Sequence, residues 1–357
     1  MKYIDDYDKR LKRHDAFWAN EMDGRCCLSV TAPRGGYTVE AIPADPAAAL
    51  DYWTNAERAF KRYVYEMENT YFAGDSLPIA NFNLGAAGHA GFFRGAKYEF
   101  KDSLWFFPSI DDIVEAPPVF DETSFLYKKS IEMADYFAGE CKGDFLISNT
   151  DSCGCVDALT HLYGSGNLMM DMMDPGRKES IHAALQAIQS CWERTTFEML
   201  DILKRNNRGM SCIGWLKTCA RGNHGQVQCD ISVMLSKEHF DEFCLPELET
   251  QSGLFDYALY HLDGKEQARH LDSILAVDGI KAIQWTDVTG QPSPLEFIPI
   301  LKRIQAAGKQ LVIRLKPCEL EEMLANLSAK GLFLKIVAAS KDEADKLVSV
   351  ADALSRE

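Results

Sequence analysis

Two residues that are able to do chemistry, His261 and Asp263, lie two positions apart in this chain. They follow the apolar run 257–260, which is typical of a buried strand. On an extended segment, side chains two apart lie on the same face. A histidine and a carboxylate on one face can bind a metal ion or exchange a proton. The structural alternative is that His261 bonds its neighbours while Asp263 caps the next helix, and spacing alone leaves both interpretations open.

Other polar side chains follow other predicted strands in the same way. In α/β proteins chemistry concentrates where a buried strand ends, because the strand is rigid and the following loop is open to ligands. This rule selects a wider set of candidate site residues, namely Asp151, Asp157, Trp215, Lys217, Gln228, Cys229, Asp230, Gln284, Trp285, Arg314, Lys316 and Cys318. Buried charges are costly unless they are paired or bound to a ligand, so their concentration at strand ends predicts a polar pocket.

Each of these residues also has a structural interpretation. Asp151 and Asp157 are placed to cap a helix that begins near residue 154. A lone tryptophan more often packs in a core than binds a ligand, and a free cysteine usually behaves as a small apolar residue. The functional interpretation therefore depends on whether these side chains converge on one face.

Strands and helices alternate along most of the chain. The predicted strands are 25–33, 77–82, 145–150, 209–216, 227–232, 257–262, 281–285, 310–315 and 332–337. The predicted helices are 45–71, 121–139, 154–163, 175–205, 236–252, 265–275, 293–307, 318–329 and 341–355. This alternation indicates a parallel sheet.

The length of 357 residues favours a single (β/α)8 TIM barrel with long βα loops over smaller α/β folds. Residues 1–25 are predicted to form an N-terminal helical extension, and residues 26–357 the barrel. A doubly wound sheet is the main alternative. The sequence has neither a Gly-x-Gly-x-x-Gly motif after its first strand nor a phosphate-binding Walker loop, which argues against the nucleotide-binding form of that alternative.

Composition limits the class of protein. The net charge of -15 argues against nucleic acid or an anionic membrane surface as a partner. The acidic first eight residues have no apolar core, so they are not expected to be a signal peptide. The 11 cysteines include no Cys-x-x-Cys pair, which argues against a disulfide framework. We therefore expect a cytoplasmic protein.

Three segments together resemble one known family. They are 228–236, 260–264 and 279–285, and the resemblance extends over roughly residues 15–350. The chain resembles the uroporphyrinogen decarboxylase superfamily, and within it the methyltransferase-like, corrinoid-dependent branch. The resemblance implies a (β/α)8 barrel with its site at the carboxyl ends of the strands, and a homodimer.

The decarboxylase activity is not expected to carry over. The resemblance implies an arginine-rich N-terminal segment that holds substrate carboxylates, and the matching region here offers only Arg34. The histidine that follows the last strand in the decarboxylase is replaced by 338–340, Ala-Ala-Ser. Four aspartates in the pocket would also repel a substrate with many carboxylates.

The corrinoid-dependent branch implies methyl transfer assisted by zinc, which is held by a His-x-Cys segment and a second cysteine. His261 matches the histidine, and Asp263 stands in place of the first cysteine. Since zinc also accepts oxygen ligands, the candidate metal ligands are His261, Asp263, Cys229 and Cys318.

The resulting hypothesis is an enzyme that moves a methyl group between a small methylated substrate and a corrinoid on a separate carrier protein. A methylated amine and an aryl methyl ether both suit it. The predicted catalytic residues are His261, Asp263, Asp230 and Asp151, and the predicted substrate contacts are Asp157, Trp215, Gln228, Gln284 and Trp285. Two alternatives remain: a metal-free, carboxylate-based lyase of the decarboxylase type, and a small-molecule-binding barrel without catalytic activity.

Overall fold

The computed structural model describes residues 1–36, 38–82, 84–85, 88–151, 153–286 and 290–357. Its strands are β1 (Cys27–Pro33), β2 (Thr70–Gly74), β3 (Ile79–Ala80), β4 (Lys97–Phe100), β5 (Leu104–Phe107), β6 (Leu146–Ile147), β7 (Met210–Ile213), β8 (Thr218–Arg221), β9 (His224–Gln228), β10 (Tyr257–Leu262), β11 (Ile280–Trp285), β12 (Gln310–Leu315) and β13 (Leu332–Val337).

The helices that alternate with these strands include several pairs joined by short turns. They are α1 (Tyr7–Trp18), α2 (Pro46–Thr54), α3 (Ala56–Glu68), α4 (Phe125–Glu140), α5 (Cys155–Tyr163), α6 (Ser165–Met173), α7 (Lys178–Lys204), α8 (Lys237–His239), α9 (Leu245–Gly253), α10 (Leu271–Leu275), α11 (Ile298–Ala306), α12 (Leu320–Asn326) and α13 (Lys341–Leu354). A π-helical turn, Phe240–Cys244, joins α8 to α9, and a 3₁₀ turn, Asp230–Met234, follows β9.

The main sheet contains seven strands within the described ranges, in the order β2-β1-β13-β12-β11-β10-β9. All neighbours pair in parallel except β2, which is antiparallel to β1. A separate parallel pair, β3–β6, and the hairpins β4–β5 and β7–β8 complete the strands. The molecule is thus a mixed α/β fold with a central, mostly parallel sheet. Hydrogen-bonded pairing between the described strands does not close this sheet into a ring, so the predicted barrel is confirmed only in its α/β character.

The two faces of the sheet differ in chemistry. On one face, Leu259, Val312 and Phe333 pack with Phe17 and Trp18 of α1. Two residues further along each strand, the same face becomes polar. We call this polar part the inner face, and it consists of Ser29, Gln226, Gln228, His261, Gln284, Arg314 and Lys335. The alternate residues face the helices and belong to the large apolar core.

The N-terminal helix covers the apolar end of the same face of the sheet. Trp18 donates its indole N–H to the Cys219 carbonyl at 2.9 Å, and its ring packs edge-on against His224. Burial of two large aromatic side chains there stabilises the arrangement by roughly 2–3 kcal/mol each. The apolar end is therefore closed by α1, whereas the carboxyl ends of the strands carry the polar residues. The predicted domain division at residue 25 stays a prediction.

Several predicted elements differ in the structure: the predicted strands 77–82 and 145–150 are reduced to β3 and β6, and three further differences have a clear local cause. The predicted helix 45–71 is interrupted at Asn55, whose extended backbone ends α2 and whose side chain caps α3 by accepting from the Arg58 N–H at 3.1 Å. The predicted strand 209–216 is shorter, because Lys217, with φ of 62°, turns the chain back into β8. The predicted strand 227–232 begins earlier and ends at Gln228.

None of the helices within the described residues has the length and apolar character needed to cross a bilayer.

Candidate functional site

His261 lies on the inner face near the end of β10 and is held by its neighbours on β11. Its Nδ1 lies 2.5 Å from Gln284 Oε1 and 3.0 Å from Thr286 Oγ1. An amide oxygen only accepts hydrogen bonds, so Nδ1 carries the proton that Gln284 accepts. In the neutral ring this leaves the lone pair on Nε2. Gln284 therefore fixes the tautomer in which Nε2 is the basic atom.

Two carboxylates face that basic atom. Nε2 lies 3.8 Å from Asp230 Oδ1 and 4.0 Å from Asp263 Oδ1. These distances exceed a direct hydrogen bond and leave room for a shared proton carrier such as water. Asp230 Oδ1 is buried and has no hydrogen-bond partner among the described residues, although the side chain as a whole is 44% exposed. The three side chains are therefore arranged around a space that a ligand group is able to enter.

The charge state of Asp230 depends on this crowding. Burial, together with the negative charges of Asp263 and Asp151, raises the pKa of Asp230 to about 7. A carboxyl group with such a pKa exists in both protonation states near neutral pH. It can therefore act as an acid or as a base next to His261, which is the property expected of a proton-transfer site.

Two glutamines connect Asp230 to a second carboxyl group. Gln228 donates to Asp230 Oδ2 at 3.1 Å and accepts at 2.6 Å from the amide of Gln226. The same amide donates to Asp151 Oδ1. Burial raises the pKa of Asp151 to about 6, and the proximity of His261 partly offsets that effect. Asp151 and Asp230 thus belong to one hydrogen-bonded network.

Trp215 forms a wall of this group of residues. Its ring meets the ring of His261 edge to face, with centroids 5.2 Å apart and an interplanar angle of 87°. Its indole N–H donates to Gln226 Oε1 at 2.6 Å, which fixes the ring orientation. Trp215 lies in the turn between β7 and β8, so the hairpin places an aromatic surface over the end of β10.

Asp157 lies behind the site rather than at its surface. It is 4% exposed, and its two carboxylate oxygens accept from the backbone N–H groups of Asp230 and Ile231, each at 2.9 Å. These bonds remove both N–H groups from the sheet ladder and direct the chain into the 3₁₀ turn after β9. Burial and the charge of Asp230 raise the pKa of Asp157 to about 7. Asp157 therefore positions Asp230, and its predicted role as a substrate contact stays a prediction.

Three other predicted residues are not brought to His261. Trp285 follows Gln284 directly, faces the helices and packs against Phe297 with ring centroids 4.8 Å apart. Cys229 follows Gln228 directly, and its Sγ lies 3.3 Å from Cys244 Sγ in the apolar core. Adjacent residues on a strand point to opposite faces, which accounts for both placements. Cys318 is exposed beyond β12 and lines a separate groove of about 640 Å³.

The predicted zinc ligands are consequently divided between three places. Only His261 and Asp263 of the four lie together. Across the described ranges, no three His, Cys, Asp or Glu side chains are arranged to hold a metal ion. Zinc binds a thiolate, whereas burial raises the pKa of the Cys229 thiol well above its ordinary value. The ligand set does not fit zinc, so the chemistry below is derived from the side chains alone, and zinc stays a prediction.

Three residues of the inner face, Ser29, Gln226 and Lys335, were not among the predicted site residues. Gln226 lies two positions before Gln228, so strand periodicity was able to indicate it. Lys335 lies in an otherwise apolar strand, in register with Arg314 of β12. A lone lysine within such a strand was the sequence signal for it, because a buried ammonium group is costly without a function or a partner.

Comparison with known proteins gives a structure of similar fold but no matching family. No protein-family model matches the chain, and a search of curated proteins gives no match. Among solved structures, the chain is similar to a methyltransferase from Methanosarcina mazei, with a TM-score of 0.58 and 12% sequence identity. The match covers 96% of this chain and 98% of that one. The chain therefore has a methyltransferase-like fold over nearly its whole length.

Proposed function

We propose that this chain is a methyltransferase-like enzyme that moves a methyl group between a small methylated substrate and an acceptor. The observation that carries the proposal is the arrangement of His261, Asp230 and Asp263 around one space beside Trp215. The methyltransferase-like fold supports it. The corrinoid carrier protein, the homodimer and the cytoplasmic location come from the sequence and stay predictions.

The site supplies proton transfer to the departing group. When the nucleophilic acceptor attacks the methyl carbon, a bond from the acceptor to that carbon forms, the bond from the carbon to the ether oxygen or amine nitrogen breaks, and its electron pair stays on the heteroatom. For an ether, the resulting oxyanion needs a proton, which the protonated form of Asp230 is able to donate. His261 Nε2 then returns Asp230 to its protonated form by relaying a proton from solvent. A corrinoid, when present on a carrier protein, would supply the methyl donor or acceptor.

Trp215 and the paired carboxyl groups also select the substrate. The aromatic ring offers an apolar surface that favours a methyl group. Asp230 and Asp263 favour a neutral or cationic atom next to that methyl group, since two carboxyl groups disfavour an anion there. A methylated amine and an aryl methyl ether both satisfy these conditions.

The proposal includes a (β/α)8 barrel. Contacts on each side of the open sheet support it. Ser29 of β1 donates to Ser76 at 3.1 Å, just before β3, and the Gly214 N–H after β7 donates to Ser148 at 2.8 Å, just after β6. Lys335 on β13 also reaches the Trp215 carbonyl. These contacts put β3 beside β1 and β6 beside β7, which is the order that a closed ring of strands would need.

A carboxylate-based lyase is the second candidate. The raised pKa values of Asp151 and Asp230 favour it, because a neutral carboxyl group can protonate a carbanion after loss of CO₂. In such a reaction the C–C bond breaks and its electron pair remains on the substrate carbon. That carbon then takes the proton of the neutral carboxyl group. A methyl-transfer assay and a CO₂-release assay on the same protein distinguish the two reactions.

A direct test uses free cob(I)alamin as acceptor and trimethylamine or methoxybenzene as donor. Formation of methylcobalamin is followed by absorbance. We expect turnover by the wild-type chain and a decrease in kcat/KM of roughly 10²- to 10⁴-fold in His261→Ala, as for loss of a general acid–base group. His239→Ala, on the distant helix α8, is the matched control. Equal rates in both variants, or no methyl transfer by the wild type, would contradict the proposal.

Metal content is measured separately. About one zinc per wild-type chain, absent from His261→Ala, would restore the predicted zinc site despite the separated cysteines. Metal-free protein with full methyl transfer would confirm that the side chains suffice.

A further inference from the structure

Lys335 and Arg314 of the inner face lie close to a third cationic side chain, Lys217. Lys335 and Arg314 are register neighbours on β13 and β12, and Lys217 lies in the turn between β7 and β8. The Lys335 ammonium donates to the Trp215 carbonyl, and Lys217 Nζ donates to the Ile79 carbonyl at 3.0 Å. Within the described residues, no carboxylate lies within ion-pair distance of any of the three. This is notable in a chain with 53 acidic residues and a net charge of -15.

Burial of these cations is energetically unfavourable, and the lowered pKa values of both lysines show it. Burial, with the charges of Lys217 and Arg314, lowers the pKa of Lys335 to about 7. Burial also lowers the pKa of Lys217, with Glu66 partly offsetting the effect. Lys217 holds a left-handed backbone, with φ of 62°, that a lysine adopts only against a steric penalty. Folding alone would favour neutral side chains at these positions, so a binding role for the cations accounts better for them.

We propose that Lys335, Arg314 and Lys217 form an anion subsite that binds the carboxylate of the small-molecule substrate. The guanidinium of Arg314 is exposed, and its planar fork is suited to a carboxylate, while the two ammonium groups add point charges. A bound carboxylate would supply the counter-charge that the described residues lack. The inference rests on the proposed function for the statement that the anion belongs to the substrate.

Trp215 connects this subsite to the proton-transfer group. Its carbonyl accepts from Lys335, while its ring contacts His261. A molecule anchored at the cations therefore extends past Trp215 towards His261, Asp230 and Asp263. Because that end is negative, a second carboxylate would be repelled there. The substrate class that fits is a small monocarboxylate whose methylated end is neutral or cationic.

The test uses acetate as a probe and needs neither turnover nor a known substrate. The protein is labelled with ¹³C at lysine Cε, and the Lys335 signal is assigned by its loss in Lys335→Met. We expect acetate to raise the pKa of Lys335 by at least one unit, because a bound anion favours the ammonium form. Arg314→Gln should weaken acetate binding at least tenfold, whereas Arg314→Lys, which keeps the charge but lacks the planar fork, should weaken it less. Arg269→Gln, on the surface, is the matched control.

Each outcome decides the proposal. A Lys335 signal that does not respond to acetate in folded protein overturns it. Inorganic phosphate that binds tenfold or more tightly than acetate overturns the carboxylate class. Acetate binding with the expected Arg314 dependence supports the subsite even when cob(I)alamin accepts no methyl group. In that case the proposed function fails and the anion subsite remains.

Discussion

The acidic and basic regions of the inner face differ in sign but share one property. Asp151, Asp157 and Asp230 have pKa values raised to about 6 or 7, and Lys335 has its pKa lowered to about 7, in every case chiefly by burial. Ion pairs between the two regions are absent among the described residues. A fold under selection for stability alone would pair or remove such groups. The comparison favours the proposals that Asp151 and Asp230 serve proton transfer and that the cations serve anion binding.

The two regions make opposite contributions to the pH dependence of stability. A carboxyl group with a raised pKa favours the folded state below pH 4, and this contribution is lost as the pH rises towards 7. A lysine with a lowered pKa favours the folded state above pH 10.5, and its contribution is lost as the pH falls towards 7. Near neutral pH both regions therefore lower the free energy of unfolding, and each can be tested by removing its charge.

The largest effect is expected from Asp157→Ala. This substitution leaves the buried N–H groups of Asp230 and Ile231 without acceptors, which should lower the free energy of unfolding by about 3 kcal/mol. Urea denaturation at pH 6 measures it. Asp5→Ala, at an exposed N-terminal position, is the control. The variant should also lose methyl transfer, since Asp230 loses its position, but should keep the acetate response of Lys335. A loss below 0.5 kcal/mol would mean that solvent replaces the carboxylate.

The acidic and basic regions also differ in how far the sequence predicted them. The bounds of β10, β12 and β13 agree with the predicted strands, because each is a short apolar run bounded by clear turn residues. The parallel arrangement followed from the alternation of strands and helices. Prediction was weaker where side chains redirect the backbone. The bonds from Asp157 end β9 at Gln228, and hydropathy carries no signal for such bonds between distant residues.

The other differences between the predicted and the observed site come from the directions in which the side chains point. The predicted site contained two adjacent pairs, Gln228 with Cys229 and Gln284 with Trp285. Strand geometry permits only one member of each pair on the face of His261. Applying that rule would have set aside Cys229 and Trp285 in advance. The basic region required more than the rule, because the partnership of Lys335 with Arg314 depends on the register of two strands and on the turn that carries Trp215.

A moderate effect is expected from Lys335→Met. Removal of a buried ammonium group should raise the free energy of unfolding by about 2 kcal/mol at pH 7, after allowance for the lost hydrogen bond to Trp215 and for partial exposure. The gain should disappear above pH 10.5, where the lysine is neutral in both states. Lys302→Met on the outer surface of α11 is the control. Destabilisation at pH 7 would show that the ammonium group already has a counter-charge in the folded protein.

The smallest effect is expected from Asp230→Asn, in the acidic region. Because the side chain is 44% exposed, solvent screens much of the repulsion, and the gain in stability should stay below about 1 kcal/mol. The gain should appear at pH 8, where the wild-type carboxyl group is charged, and vanish at pH 4, where it is protonated. Asp278→Asn, on the surface before β11, is the control. Destabilisation at pH 8 would mean that the charged Asp230 has a stabilising partner in the folded protein. In that case only the basic region would hold charges without a counter-charge among the described residues.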